Sequence, residues 1–179
     1  MATLHFICGK AGSGKTTLAR ELGRTLPAVV FCEDEWINTL GFEIRSLDDF
    51  LKASARCRKL IEPMAIDLLR MGVSVVFDFG GNTVKARQGI RAIFEAAGAD
   101  HLLHVIEASD AACLANIHRR NAEKPAGVYW GDVSDEIFHA VTAHFAPPQV
   151  EEGFNLKRRA AASLGVLPSA APAVSSRPG

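Results

Sequence analysis

Apolar and polar positions along this chain fall into blocks: short apolar runs separated by longer stretches with helical spacing. Leu4-His5-Phe6-Ile7-Cys8 is the first run and stops at Gly9. Its length suits a strand covered on both faces. Beyond Gly14, the leucines at 18, 22 and 26 predict an amphipathic helix that Pro27 ends. Ala28 to Cys32 predicts a second strand, the acids Glu33-Asp34-Glu35 follow it, and residues 36–45 are expected as loop. Ser46 offers an N-cap with Asp48 and Asp49 in the first turn, so a long helix over about 47–71 is expected, ended by Gly72 and kinked or split by Pro63.

Val73 to Asp78 predicts a third strand, and Asn82-Thr83 can cap a helix that runs to about Ala97. His101 to Glu107 predicts a fourth strand, and Ser109-Asp110 begins a helix to about Arg120. Pro125, Gly127 and Gly131 make residues 121–133 a loop, and a last helix is expected over Asp135–Phe145. Strands alternating with helices predict one α/β domain over residues 1–159, with a mainly parallel sheet of four or five strands covered by helices. From 160 to 179 Ala, Ser, Pro and Gly dominate. That stretch is expected to be a flexible tail, apart from a short helix near 158–164.

Composition narrows the function classes. The chain has 179 residues, 48% hydrophobic and 22% charged, as in an ordinary globular domain. Its 20 basic and 20 acidic side chains cancel, which argues against a nucleic-acid or anionic-membrane partner. No apolar run reaches the roughly 20 residues of a membrane helix, and Met1 to His5 lacks the pattern of a secretory leader. Cys8, Cys32, Cys57 and Cys113 are scattered without a CxxC pair, as reduced core cysteines are. A cytoplasmic location is expected. The six histidines show no ligand spacing on a common face.

The chemistry begins at Gly9-Lys10-Ala11-Gly12-Ser13-Gly14-Lys15-Thr16, a match to G-x-x-x-x-G-K-[ST] at every fixed position. Glycines let the backbone wrap an anion and aim successive N–H groups inward, and the following helix adds the positive end of its dipole. Lys15 can place a cation on the β and γ phosphates, while the Thr16 hydroxyl can join a magnesium shell and Thr17 completes the nucleotide-binding set. A chance match in a chain of this length has a probability of about 1%. ATP and Mg²⁺ are therefore the expected cofactors.

Acids fall at the carboxyl ends of the predicted strands, where ligands of open parallel sheets sit. Asp78 closes an apolar strand and suits a carboxylate near the metal. Asp34 is the candidate general base, with Glu33 and Glu35 as alternatives in the same cluster. Glu107 reads as structural. Arg119 and Arg120 precede the loop over 121–133, so that loop is a candidate lid carrying one essential arginine over the nucleotide. Tyr129 and Trp130 in it could stack on a ring or pack on the body. Arg45, Arg56 and Arg58 flank the acceptor side, where a solvated helix face accounts for each.

These marks together resemble the small bacterial P-loop kinases labelled AAA-family ATPases (the AAA_33 type), a group similar to chloramphenicol phosphotransferase, zeta toxins and polynucleotide kinase domains. The resemblance covers roughly residues 3–159 and rests on GKAGSGKTTLA, the Asp34-Glu35 pair, GVSVVFDFGGNT at 72–83, Arg119/Arg120, and APPQVEEGFNL at 146–156. It implies a five-stranded sheet of the nucleoside-monophosphate-kinase type, magnesium-ATP, the first acidic loop as the base, and lid arginines. Two positions depart from it. Relatives carry an arginine three residues after the base where this chain has Ile37, a place Arg45 could fill. Phe154-Asn155-Leu156 runs straight into Lys157-Arg158-Arg159, so the fifth strand is expected short or missing. The expected activity is ATP-dependent phosphate transfer to a hydroxyl of a small molecule, antibiotic-like or sugar-like. A nucleotide-switch ATPase, a polynucleotide 5′-kinase and a binding module are the rival readings.

Overall fold

Every strand of the sheet runs in the same direction. The computed structural model describes residues 1–125 and 131–161. Strands β1 (Thr3–Cys8), β2 (Ala28–Phe31), β3 (Ser74–Phe77), β4 (Asp100–Glu107) and β5 (Leu156–Ala160) form one five-stranded parallel sheet in the order β2-β3-β1-β4-β5. The described helices are α1 (Lys15–Thr25), α2 (Glu33–Thr39), α3 (Leu47–Arg70), α4 (Val84–Ala97), α5 (Asp110–Glu123) and α6 (Asp135–Thr142). This is the α/β architecture expected, a parallel five-stranded sheet covered by helices.

Both faces of the sheet are covered, which is why its inner strands β3, β1 and β4 read as apolar runs. On one face Leu4, Phe6, Val75 and Phe77 meet Cys57, Ile61, Ala65 and Leu69 of α3 and Ile90, Ile93 and Phe94 of α4. On the other, Ile7, Val76 and Ile106 meet Leu18, Ala19 and Leu22 of α1. All four cysteines are free thiols, as expected.

The structure differs from the sequence expectations in five places. Residues 36–39, expected as loop, belong to helix α2: three acids in its first turn favour its positive end, and its buried face is Glu33 and Ile37. Pro63 neither ends nor splits α3. Helix α5 continues to Glu123, where Lys124 turns left-handed (φ 47°) ahead of Pro125, a residue that disfavours helix before it. The fifth strand is real, so residues 158–160 are strand and not helix. It is an edge strand, and its Lys157 and Arg158 face solvent. Helix α6 also stops earlier than expected, at Thr142. The tail from 162 lies outside the described residues.

One buried ion pair holds the segment leading to β5. Arg87 of α4 is fully buried and gives Nε and Nη2 to the two carboxylate oxygens of Glu152, at 2.7 and 2.6 Å. Its Nη1 donates to the carbonyls of Gly81 and Ala146, both at 2.8 Å. The Arg87 hydrogen bonds hold the Glu152 carboxyl below the usual glutamate value of 4.5. A depressed carboxyl pKa stabilises the fold above the unfolded value, so this contribution is present above about pH 4.5 and lost as pH falls below it. Glu152→Ala leaves the guanidinium buried and unpaired and should cost about 3–5 kcal/mol in denaturant unfolding at pH 7. Glu152→Gln should flatten the loss of stability below pH 4.5. A cost for Glu152→Ala under about 1 kcal/mol would place the residue among ordinary surface pairs.

Candidate active site

Loop 9–14 joins β1 to α1 at the carboxyl edge of the sheet, and its backbone has no ladder of its own to rest on. Gly12 and Gly14 have φ of 74° and 98°, a region that side chains disfavour. A Cβ on Gly12 would also meet the Cys113 carbonyl of α5. Side chains from three directions hold the loop. The Gly9 N–H donates to Asn82 Oδ1 at 2.9 Å, and Asn116 Nδ2 donates to the Gly12 carbonyl at 2.9 Å. Lys10 Nζ pairs with Asp110 Oδ1 at 2.5 Å. Lys15 Nζ donates to the carbonyls of Gly9 and Lys10 at 2.9 and 2.8 Å. Ala11 packs against the cluster of Cys113, Ile117 and Phe138, Ser13 is buried, and Lys15, Thr16 and Thr17 open α1.

Asn82 and Asn116 were not singled out as site residues by sequence. The signal at 82–83 was a pair of cap-forming residues where one suffices. Thr83 takes the cap, accepting from the Ala86 N–H at 3.2 Å, and so frees Asn82 for the loop.

Three charged groups converge next to the loop. Burial lowers the pKa of Lys15, while the Asp78 and Asp34 carboxylates oppose that shift. Burial pushes Asp78 up to about 6, aided by Asp34 and opposed by the Thr16 hydroxyl, Lys15 and Cys32. Burial by surrounding protein, then the neighbouring Glu33 charge, raises Asp34, although solvent reaches the residue; Lys15 and Arg120 pull it back. The Cys32 thiol donates to Asp78 Oδ2 at 3.5 Å, and burial beside Asp78 keeps it protonated with a pKa of about 12. Lys15, Asp34, Asp78 and Arg120 thus share one electrostatic neighbourhood.

The unsatisfied atoms point to the same place. Among the described residues, the buried side-chain atoms without a hydrogen-bond partner are Ser13 Oγ, Asp78 Oδ1, Arg120 Nε and Thr142 Oγ1. Buried polar atoms without partners cost free energy and are rare in folded proteins. Ser13 is in the loop, Asp78 beside its lysine, and Arg120 three residues beyond Ile117 on the α5 face that packs there. Thr142 shares a recess with Lys10, Ala11 and Asn82. Thr16 and Asp78 suit a divalent cation: a hydroxyl near a buried carboxylate whose second oxygen lacks a partner.

Other sequence candidates separate here. Glu33 is buried and bound by Ser54 Oγ at 2.7 Å and Arg58 Nε at 2.8 Å, whereas Glu35 is exposed. Arg119 is exposed and donates to Asn116 Oδ1 at 3.0 Å. Ile37 lies in the core, and Arg45 is 81% exposed and paired with Glu43, away from the cluster. Glu107 pairs with Arg158 at the sheet edge. The lid stem is tighter than expected. Residues 121–123 are helix, and Asn121 exchanges two hydrogen bonds with Val133. Tyr129 and Trp130 lie outside the described residues.

An AAA-domain family model (AAA_33) matches residues 4–148. The chain belongs to this family. No curated protein sequence matches it. Solved structures similar to this family member include a candidate kinase from Chloroflexus aurantiacus, 18% identical over 89% of this chain and 85% of that one, with a TM-score of 0.70. Kti12 of Chaetomium thermophilum, in complex with ADP-AlF3, is 15% identical over 88% of each chain, with a TM-score of 0.65. A gluconokinase from Sinorhizobium meliloti is 13% identical over 91% of this chain and 86% of its own, with a TM-score of 0.58. At these identities the likeness establishes the fold. No helix among the described residues is long and apolar enough to cross a membrane.

Lys15→Ala should weaken magnesium-ATP binding about 100-fold by calorimetry, the scale of losing charge-assisted contacts to phosphate. The fold should persist, because a desolvated cation contributes little stability of its own. ATP binding as tight as the parent's would remove the phosphate-loop assignment.

Proposed function

We propose that the protein transfers the γ-phosphate of ATP to a hydroxyl group of a small, sugar-like or antibiotic-like molecule. The observation that carries this reading is the convergence of Ser13 Oγ, Asp78 Oδ1 and Arg120 Nε, all buried and unpaired, on one glycine-rich loop with Asp34 beside them. These are an acceptor and donors placed for a charged ligand that the protein does not itself supply.

Each residue then has a task. The loop amides and Lys15 hold the phosphates, with the backbone fixed in advance by Asn82 and Asn116 so that little reorganisation is left for binding. Thr16 and Asp78 would hold magnesium, which supplies charge neutralisation between the phosphates when bound. Asp34 accepts the proton of the attacking hydroxyl. Its raised pKa makes it a better base than an ordinary surface aspartate. Glu33 is occupied by Ser54 and Arg58, which leaves Asp34 as the base of the acidic cluster. Arg120 faces the transferring group, and Arg119 steadies Asn116 and through it the loop. The alcohol oxygen forms its bond to γ-phosphorus as the bond to the β-bridging oxygen breaks, giving ADP, a phosphate ester and a proton on Asp34.

The test is transfer from γ-labelled ATP to a panel of polyols, sugar acids, sugar phosphates and aminoglycoside-like alcohols. Asp34→Asn should lower transfer about 100-fold while ATP affinity stays within a few-fold. Glu35→Gln should change little. Label released only as inorganic phosphate across the panel, or a large loss in Glu35→Gln with a trivial one in Asp34→Asn, would contradict the proposal.

A further inference from the structure

The acceptor side lacks a cation at residue 37, where Ile37 is core, and Arg45 is too far into solvent to replace it. The structure puts a different arginine there. Arg58 lies one helical turn after Ser54 on α3, and both reach across to Glu33, the neighbour of Asp34. Its guanidinium also sits over the Phe79 ring at 5.3 Å, and Phe79 follows Asp78. Arg58 is therefore fixed between the carboxyl ends of β2 and β3, the edge that carries Asp34 and Asp78.

The way it is held distinguishes it from a structural arginine. Arg87 of this same chain is fully buried, and its Nε, Nη1 and Nη2 all have acceptors. Arg58 gives only Nε to Glu33, its side chain is 30% exposed, and Nη1 and Nη2 have no acceptor among the described residues. A carboxylate on Nε and an aromatic ring beneath orient the plane and leave its forked edge open. That edge matches the two oxygens of a carboxylate or phosphate.

We propose that Arg58 binds an oxyanion of the acceptor, so that the acceptor is a hydroxylated acid or a phosphorylated alcohol and not a neutral polyol. Glu33 is its positioning residue. The inference rests on the phosphotransferase reading: Asp34 takes the hydroxyl proton while Arg58, anchored to the preceding residue, holds the acceptor's charged end. Its cation also offsets the repulsion that Asp34 and Asp78 would exert on an anionic molecule.

The test saturates the phosphate loop with magnesium and a non-hydrolysable ATP analogue, then titrates inorganic phosphate, D-gluconate and neutral D-glucitol in parallel. Parent, Arg58→Gln and Arg58→Lys are compared. Lysine keeps a charge for Glu33 and so protects the fold, but it loses the forked edge. Phosphate or gluconate should bind the loaded parent better than glucitol. Both variants should weaken that binding about tenfold or more with the analogue's affinity unchanged, the scale of a hydrogen bond to a charged group. Which anion binds more tightly tells a phosphorylated acceptor from a carboxylic one. No preference for either anion over glucitol in the parent, or equal anion affinity in all three proteins, overturns the proposal. A lowered melting temperature with unchanged anion affinity would make Arg58 merely structural. Failure of the analogue itself to bind is a separate result; it removes the phosphotransferase reading and this inference with it.

Discussion

A loop that receives phosphate must aim its N–H groups at the ligand, so it cannot spend them on its own secondary structure. Everything else about this site follows from that constraint. The loop from Gly9 to Gly14 is held from outside, by Asn82 after β3, by Asn116 and Asp110 of α5, and by the Lys15 amine folded onto its carbonyls. The strand order makes this work. β1 lies between β3 and β4, so the turn after β3 and the helix after β4 flank the loop on either side. Small residues are required where those elements approach, as the Gly12 contact with the Cys113 carbonyl shows.

The same packing sets the electrostatics. Desolvation lowers the Lys15 pKa and raises those of Asp34 and Asp78; Lys15 opposes the rise at both acids, and Asp34 adds to the rise at Asp78. Burial thus concentrates charge that is only partly compensated, at the edge where orphaned Ser13, Asp78 and Arg120 atoms also gather. A ligand bearing phosphates and a cation would complete these interactions. The acidic helix α2 extends the arrangement: Glu33 anchors inward on Ser54 and Arg58, and the Asp34 carboxylate acts on Lys15 of the loop.

Much of this was legible in the residues alone, and what was not has a common cause. β1, β3 and β4 were clear because they lie inside the sheet with both faces covered, leaving apolar runs with sharp ends, and β2, though an edge strand, is apolar throughout. Helix α2 was hidden because a buried acid, Glu33, stands where periodicity would require an apolar residue. β5 was hidden because an edge strand exposes the charged side of Lys157 and Arg158. The phosphate loop could be read because its chemistry is local in sequence. Its supports could not: Asn116 is 104 residues from Gly12 and Asn82 is 73 from Gly9. Arg58 read as one of several solvated helix arginines, and only its distance from Glu33 and Phe79 sets it apart from Arg45 and Arg56.

The proposed function requires a loop built before ligand arrives, beside which Thr16 and Asp78 would hold the metal. A crystal structure with magnesium and a non-hydrolysable ATP analogue tests this most directly. The loop backbone should move by less than about 1 Å, as preorganised sites do. The Gly9–Asn82 and Gly12–Asn116 hydrogen bonds should be retained, the γ-phosphate should contact Lys15, and the cation should lie against Thr16 and Asp78. A loop that rebuilds around the phosphates, or a cation held away from Asp78, would rule out a preformed site of this kind.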